Sequence, residues 1–339
     1  MSKSITVIIP IYNVEAYIAD CIKSLAEQTY KGFDIIAVDD CCTDDSIKTM
    51  LDAINTYTLP KERIHIVRHE RNRGLSAARN TGIKESKADY VFFLDSDDTI
   101  SKDCIELMHN TIEMYDAKGT SVDMVIGDYA FDGPEIGCPK LTAPEGILNR
   151  KKYIKEYCKQ HVYPMAWNRM TKREFVLNNN LLFEEGLIHE DTLWNFMLLK
   201  YLKNVVTIKR ETYIYRVRPN SIQSSDNYKK HFDANIYILG KLCDIQFSTW
   251  FLKFNRYVYD FVEQEKLRHL YDCYHNNCPM FIPQLYSVCR KHKHLTPWQA
   301  RMICFPNKGL LEKISKRDKH YSLAYDEGLK LFTNLPNTL

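Results

Sequence analysis

Three carboxylates within four positions are the residues of this 339-residue chain that most directly suggest chemistry. Asp95, Asp97 and Asp98 follow the apolar run YVFFL at residues 90–94. Acids clustered after a buried strand repel one another and need a positive partner. The sequence has neither a G-x-x-x-x-G-K-[ST] loop nor a G-x-G-x-x-G turn. The cluster therefore predicts a divalent cation, Mn²⁺ or Mg²⁺, which takes carboxylate oxygens together with substrate phosphates.

A plainer interpretation of the same stretch is a turn that caps a helix. The segment DSDDTIS at residues 95–101 is rich in capping residues, and Asp98 alone fits that role. A cap needs only one acid, however, and three are present. The metal hypothesis is therefore the stronger of the two.

Strand and helix patterns alternate over residues 1–130, and these elements must position the acids. Apolar, strand-like runs lie at residues 5–9, 34–38, 64–67, 90–94 and 123–131, with helical patterns between them. This spacing predicts an α/β fold with a mostly parallel sheet flanked by helices. Such sheets bind ligands beyond the carboxyl ends of their strands. Asp39 and Asp40, which follow the second strand, are expected at that edge together with Asp95.

Residues 131–224 show a different pattern of predicted helices and strands. Helical patterns lie at residues 149–160, 171–179 and 190–201, and strand-like runs lie at 205–208 and 213–217. Arg216 and Arg218, two apart on a strand, would share one face and could clamp a diphosphate. The alternative for this pair is a solvated strand face. Trp167 either stacks on a sugar ring or packs in the core.

Charge is unevenly distributed along the chain. The net charge of +3 is too small to predict nucleic-acid binding. Residues 228–339 nevertheless carry 17 basic and 10 acidic side chains, whereas residues 1–227 carry 29 and 33. This basic, aromatic-rich, mainly helical tail at 225–339 predicts either a solvated surface or a contact with anionic membrane. A homodimer contact is a further hypothesis for it.

The eleven scattered cysteines are expected to be reduced thiols of a cytoplasmic protein. The N-terminal segment MSKSITVIIP lacks a signal-peptide pattern, and no apolar run reaches the ~18 residues needed to span a bilayer. Location at the inner face of the membrane remains compatible with this. His269, Cys273, His275 and Cys278 raise a weaker hypothesis of a zinc site, but their spacing is irregular for one.

Seven ordered motifs resemble those of the family 2 glycosyltransferases, inverting nucleotide-sugar enzymes of the GT-A fold. In the first half these are VIIPIYNVEAYI, IIAVDDCCTDDS, NRGLSAARNTGI and YVFFLDSDD. The resemblance continues with AWNRMTKREF, LLFEEGLIHEDTLWNFML and YIYRVRPNSI, so that it covers residues 4–222. It implies a transferase domain at 1–224, with a nucleotide-binding half at 1–130 and an acceptor-binding half at 131–224.

The resemblance also implies roles for individual residues. Asp39 and the loop from Pro10 to Tyr12 would hold the base of the nucleotide, expected to be UDP. Asp95 would bind the ribose and assist Asp97, the main metal ligand. The remaining donor-site residues implied by the motifs are Asn13, Glu15, Asp40, Arg71, Asn72, Gly74 and Ser96. Arg79 would lie on the helix behind the nucleoside, as a structural residue.

Asp191 matches the family's catalytic base, which takes the proton of the attacking acceptor hydroxyl. The alternative is that Glu190 and Asp191 are simply acids at a helix start, where they favour the helix dipole. Both descriptions can hold together. Asp98 and Glu190 are expected near the donor sugar or the acceptor, a glycan or a lipid-linked oligosaccharide of surface polysaccharide synthesis.

Two departures and two rival functions accompany the resemblance. Cys41 and Cys42 follow the acids of the second strand where the family usually has Gly-Ser, and Arg169 replaces a more usual Lys. The stretch FFLDSDDT also fits a haloacid-dehalogenase phosphatase with Asp95 as nucleophile, although three strand–helix units precede it. A non-catalytic transferase-like scaffold is the other rival.

Overall fold

The computed structural model describes residues 2–135, 138–218 and 228–275, apart from the side chains of residues 266, 267 and 270–275. The chain divides into two compact units, 1–224 and 225–339. Cys273, His275 and Cys278 of the zinc hypothesis lie outside the described side chains. Among the residues that are described, no group of three or more His, Cys, Asp and Glu side chains is arranged to hold a metal ion.

Four strands and three helices alternate at the start of the first unit, as the apolar periodicity predicts. Strands one and four are wholly buried, and strand two is buried apart from Asp34. Strand three, at the sheet edge, is largely exposed. The elements are β1 (Ile5–Ile11), α1 (Ile18–Ala26), β2 (Phe33–Asp39), α2 (Ser46–Thr56), β3 (Ile64–Arg68), α3 (Leu75–Glu85) and β4 (Tyr90–Phe93), with a short 3₁₀ helix at Lys61–Arg63.

The second part of this unit adds more strands than the sequence patterns indicate. Its elements are β5 (Thr99–Ile100), α4 (Cys104–Asp116), β6 (Met124–Asp132), β7 (Gly146–Asn149), α5 (Arg150–Cys158), β8 (Arg169–Lys172), α6 (Arg173–Asn178), α7 (Glu190–Leu198) and β9 (Asn204–Arg216). The two strands predicted at 205–208 and 213–217 form the single strand β9. The sequence also hides β8, because this four-residue strand runs directly into α6.

One sheet collects all nine strands of the described chain, in the order β3-β2-β1-β4-β8-β6-β9-β5, with β7 paired to β9. Strands β3, β2, β1 and β4 are mutually parallel, whereas β8 is antiparallel to both β4 and β6. The predicted α/β class with a mostly parallel sheet flanked by helices is confirmed. Because β1 lies between β2 and β4, the residues that follow these three strands meet at one edge.

Helix α3 approaches this sheet unusually closely. A Cβ atom at Gly82 would lie 2.3 Å from Cγ2 of Ile8 on β1, so a larger residue would push the helix outwards. Ala78, one turn earlier, packs on Ile36 and Val38 of β2. This small-residue face explains how α3 brings Arg79, which is 1% exposed, beneath the edge where the acids lie.

The second unit is helical over its described residues. It consists of α8 (Tyr228–Ser248), α9 (Trp250–Lys253) and α10 (Arg256–His275), in agreement with the predicted helical tail. Within the described residues, no helix is long and apolar enough to cross a membrane.

Candidate active site

The acidic motif lies immediately after β4, and its three carboxylates have different surroundings. Asp95 and Asp97 are partly accessible, with side chains 21% and 20% exposed, whereas Asp98 is buried. Asp98 accepts hydrogen bonds from the Tyr213 hydroxyl (2.6 Å) and from the Arg216 backbone N–H (2.8 Å). Both of its oxygens are thus bonded to the end of β9. Its predicted contact with donor sugar or acceptor stays a prediction, and its visible role is to hold the motif against β9.

Asp97 is the acid of this motif that best fits a cation. Burial, followed by the negative charge of Asp95, raises its pKa even though Arg218 acts in the opposite sense. Nε of Arg218 lies 2.5 Å from Oδ2 of Asp97. An excess of negative charge at a partly open carboxylate is what a divalent cation would relieve, with phosphate oxygens completing its shell. The donor set therefore fits Mn²⁺ or Mg²⁺ on Asp97, assisted by Asp95.

Helix α7 begins with the predicted base. Glu190 and Asp191 form its first turn, where carboxylates favour the helix dipole. His189, just before the helix, takes a φ of 61°, which is uncommon for a residue other than glycine. Glu190 is buried, whereas the Asp191 side chain is 21% exposed. Of the two, Asp191 is therefore the one a substrate can reach.

Burial sets the protonation of this pair. Desolvation, then the charge of Asp191, raises the pKa of Glu190 to about 8 against the opposing effect of Arg79. Desolvation also raises the pKa of Asp191, which Arg79 again opposes. A raised pKa makes Asp191 a better proton acceptor than an exposed aspartate. One proton on Glu190 at neutral pH limits the repulsion between the two carboxylates.

Arg79 connects the acidic motif to the helix that carries the base. Its Nη1 donates to Oε1 of Glu190 (2.7 Å) and to Oδ1 of Asp191 (2.9 Å). Its Nη2 donates to Oδ1 of Asp95 at 2.9 Å. Burial lowers the pKa of Arg79, but the three carboxylates more than offset this and raise it above its ordinary value. Arg79 lies at the site as a direct partner of the acids and not merely behind it.

Asp40 organises the loop that precedes α3. It accepts from the backbone N–H groups of Arg73 (2.8 Å) and Gly74 (2.7 Å) and pairs with Nδ1 of His69 at 2.6 Å. Gly74 needs its glycine, since its φ is 86°. Asp40 therefore shapes the predicted nucleoside loop from within, while Arg71 and Asn72 on that loop are exposed.

Asp39 is buried at the end of β2. It accepts from the Cys42 backbone N–H at 2.8 Å, and its Oδ2 lies 3.3 Å from Nε of Arg68. The adjacent Cys41 has a φ of 64°, a conformation that favours the glycine usual at this point. The loop thus keeps a glycine-like backbone despite the substitution.

The loops after β1 and β2 are joined by side-chain hydrogen bonds. Asn13 accepts from the Thr43 backbone N–H at 2.9 Å, and Glu15 accepts from the Asp45 backbone N–H at 3.0 Å. Tyr12 remains 46% exposed beside them. Pro10 is buried within β1, and Ser96 is buried in the acidic motif. The predicted donor-site residues of β1, β2 and β4 thus belong to one sheet edge, although Asn13 and Glu15 are occupied with the neighbouring loop.

Arg216 and Arg218 do not act as a matched pair in this structure. Arg218 pairs with Asp97, whereas the Arg216 side chain pairs with Asp132 (3.1 Å) and Asp20 (2.9 Å). Both guanidinium carbons lie 5.5 Å from the ring centre of Tyr17. Arg218 is the better placed of the two to meet a diphosphate, and the two-arginine clamp stays a prediction.

Trp167 packs in the core, which is one of the two roles expected for it. It is 3% exposed, and its ring stacks on Tyr213 with the centroids 4.4 Å apart and the planes 9° apart. Tyr163 also stacks on it, at 5.2 Å. Neighbouring aromatic rings cover the indole in this arrangement, and the expected contact with a sugar stays a prediction.

Several residues of the site have no distinctive signal in the sequence. His69 lies in none of the motifs, and Tyr213 opens the motif YIYRVRPNSI without any sign of its partner. The fold brings these two residues to Asp40 and Asp98. Arg73 pairs with Glu185 at 2.9 Å, joining two loops 112 positions apart. One signal was detectable: the small residues of α3 form a buried face on which Arg79 is the single charge.

These features define a class of protein: an α/β fold with acidic residues gathered at one edge of the sheet and joined, through a buried arginine, to two carboxylates at the start of a separate helix. The model of the glycosyl transferase family 2 matches residues 6–176. The chain belongs to this family and is a glycosyltransferase. Membership decides against the phosphatase alternative.

Relatives and solved structures agree with this assignment. The chain is 31% identical over 234 residues to glycosyltransferase GlyA of Streptococcus pneumoniae, covering 66% of this chain and 32% of GlyA. It is 29% identical to the poly(ribitol-phosphate) beta-N-acetylglucosaminyltransferase TarP of Staphylococcus aureus, over 66% of this chain and 65% of TarP. The chain thus spans about a third of GlyA and about two thirds of TarP.

The fold is similar to that of S. aureus TarS 1–349, solved in complex with UDP-GlcNAc. The TM-score is 0.70 at 18% identity, over 97% of this chain and 91% of that chain. At this identity the similarity concerns the fold, and it agrees with the GT-A class implied by the sequence motifs.

Proposed function

We propose that this glycosyltransferase is metal-dependent and inverting. It moves a sugar from a UDP-sugar to a hydroxyl group of a glycan or lipid-linked acceptor in surface polysaccharide synthesis. The observation that carries the proposal is the placement of Asp191 on the same guanidinium as Asp95. A donor held by the acidic motif would thus lie next to a carboxylate with a raised pKa. The UDP-GlcNAc of TarS and the acceptor in the name of TarP support the choice of substrates.

The reaction is a single displacement. The oxygen of the acceptor hydroxyl attacks the anomeric carbon, and the bond from that carbon to the diphosphate oxygen breaks. The proton of the hydroxyl passes to the carboxylate of Asp191, and the bonding electrons leave with UDP. Attack opposite the leaving group inverts the anomeric centre. A positioned base contributes roughly 10²–10⁴-fold to such a step.

The leaving diphosphate gains negative charge as its bond breaks. Arg218, which is bonded to Asp97 and has a side chain 26% exposed, is the described cation best placed to offset it. When bound on Asp97 and Asp95, the metal ion would supply Lewis-acid stabilisation of the same charge. Asp39, with the Pro10–Tyr12 stretch, is proposed to hold the base of the nucleotide, and Asp95 the ribose.

The second unit is proposed to contact an anionic membrane from the cytoplasmic side, where a lipid-linked acceptor would reside. Trp250 and Phe254 are 77% and 75% exposed. Lys253 lies between them, and its Nζ is 5.5 Å from the ring centre of Phe254. Exposed aromatic rings beside a cation suit the boundary between lipid head groups and acyl chains. A homodimer contact is the competing explanation for the same surface.

A thermal-shift screen tests the donor proposal. The chain would be heated with UDP-GlcNAc, UDP-glucose, UDP-galactose or GDP-mannose, each with and without Mn²⁺. A true donor at 100 times its Kd stabilises the folded state by about 2.7 kcal/mol. We expect a UDP-sugar to raise the unfolding temperature only when Mn²⁺ is present. The Asp97→Asn variant should lose this Mn²⁺-dependent increase. Stabilisation by GDP-mannose alone would contradict the UDP assignment.

A further inference from the structure

Arg79 connects the acidic donor motif to the helix that carries the proposed base. Asp95 follows β4 and belongs to the donor motif, whereas Asp191 starts α7 and is the proposed base. The guanidinium bonds both carboxylates at 2.9 Å, one through each terminal nitrogen. Since the guanidinium group is planar and rigid, it fixes the separation between the two oxygens that it holds.

The surroundings of Arg79 leave it little freedom. The side chain is 1% exposed, and its guanidinium carbon lies 5.3 Å from the ring centre of Phe183. Helix α3 is itself pressed onto β1 at Gly82, one turn after Arg79. Its backbone origin is therefore as fixed as its tip. Because Arg79 is fixed at both its backbone and its guanidinium group, it holds the start of helix α7 at a set distance from the sheet.

We propose that Arg79 is the positioning residue that sets the Asp191 carboxylate relative to the donor-binding Asp95. This inference rests on the proposed function and deepens it. A lysine at this position would keep the positive charge. It would lose the fork, because an ammonium group cannot hold carboxylates on two elements in a fixed plane.

A positioning role for Arg79 predicts a change in the pH dependence of the reaction rate that a purely structural role does not. The charged groups that influence Asp191 are Arg79, Asp95, Glu190 and Arg169. Arg79 lowers the pKa of Asp191, so its removal must raise that pKa. A residue that only stabilised the fold would change the amount of folded protein and leave the acid limb of the rate profile in place.

The experiment compares wild type with Arg79→Gln, Arg79→Lys and the double variant Arg79→Gln with Glu190→Gln. The double variant also replaces buried Glu190, which would otherwise lose its hydrogen bond from Arg79. Donor hydrolysis and transfer would be followed from pH 5 to 9 with the UDP-sugar found by the screen. Circular dichroism at each pH confirms the folded state. Arg173→Gln is the matched control, because Arg173 binds the Ile83 and Lys84 carbonyls at the far end of α3.

For both variants with glutamine at position 79, we expect the acid limb of kcat to move upwards by about one to three pH units. The lysine variant should keep the limb near its wild-type position while kcat falls by at least ~10-fold. Arg173→Gln should leave both unchanged. A folded double variant with a wild-type acid limb overturns the role of Arg79. A wild-type chain that hydrolyses none of the four nucleotide sugars overturns the proposed function instead.

Discussion

Nε of Arg218 lies 2.5 Å from Oδ2 of Asp97, so an arginine occupies one oxygen of the carboxylate proposed to bind the metal ion. A metal ion and the guanidinium would compete for that oxygen. A diphosphate has enough oxygens to bind the metal ion and to accept hydrogen bonds from the guanidinium. We therefore expect Arg218 to move from Asp97 to the donor when the metal ion and the nucleotide bind together.

Arg218→Gln should separate these two effects. Without the competing guanidinium, binding of Mn²⁺ in the absence of nucleotide should tighten by up to ~10-fold, about 1.4 kcal/mol. Turnover should fall by ~10²-fold, because the diphosphate loses a charged donor. Isothermal titration with Mn²⁺ and a donor-hydrolysis assay measure the two. Arg210→Gln, which breaks the exposed pair with Asp103, is the control and should change neither. Weaker Mn²⁺ binding in the Arg218 variant would contradict the competition.

Asp191→Asn should abolish transfer while leaving donor binding nearly intact. The amide keeps the size of the side chain but cannot accept the proton, so we expect a 10²–10⁴-fold lower kcat. Affinity for UDP with Mn²⁺ should stay within a few-fold of wild type, as measured by titration calorimetry. Glu190→Gln is the neighbouring control: its neutral amide resembles the protonated acid, and activity should fall less than ~10-fold. Activity of Asp191→Asn within a few-fold of wild type would place the base elsewhere.

Glu190 also makes stability depend on pH. Its pKa is raised to about 8 in the folded chain, so the folded state holds a proton that the unfolded chain releases above its ordinary pKa. The free energy of unfolding should therefore fall as pH rises from about 4.5 to about 8.

Glu190→Gln should remove this contribution, which for one proton has a slope of at most about 1.4 kcal/mol per pH unit. Urea unfolding of wild type and variant at pH 5, 6, 7 and 8 measures it. Glu174→Gln, on the exposed side of α6, is a control that should keep the wild-type slope. Parallel curves for wild type and Glu190→Gln would mean that Glu190 is ionised in the folded chain.

The exposed rings of Trp250 and Phe254, which lie at the two ends of α9, give a prediction for the second unit. Replacing both Trp250 and Phe254 with Ser should weaken binding to vesicles containing phosphatidylglycerol by ~10-fold or more. The loss of each ring reduces the apolar area that would be buried in the membrane. Vesicle co-sedimentation measures this, and ultracentrifugation tests the dimer alternative. The control replaces Leu51 and Met114, exposed apolar residues of the first unit, with Ser. If the aromatic variant changes the dimer equilibrium and leaves vesicle binding unaltered, the membrane contact is wrong.

The local pattern of the sequence was sufficient for much of the fold. Buried parallel strands read as short apolar runs, so β1, β2 and β4 and the acids after them could be predicted from residues 5–98 alone. The order of the motifs was sufficient for the family. Periodicity could not reveal β8, because four residues that run directly into a helix are too few to show an alternating pattern.

Tertiary structure decided which partners each acid has. Whether Asp98 is free or bonded depends on Tyr213, and whether Asp97 meets a cation or a guanidinium depends on Arg218; both partners lie more than 110 positions away. Arg79 was visible only as a charge on the small-residue face of a helix, and the fold made it the contact shared by Asp95 and Asp191. The sequence by itself determined which chemical groups are available and on which elements they lie. Burial and pairing across the sheet decided their protonation and partners, because these depend on distances that no local pattern encodes.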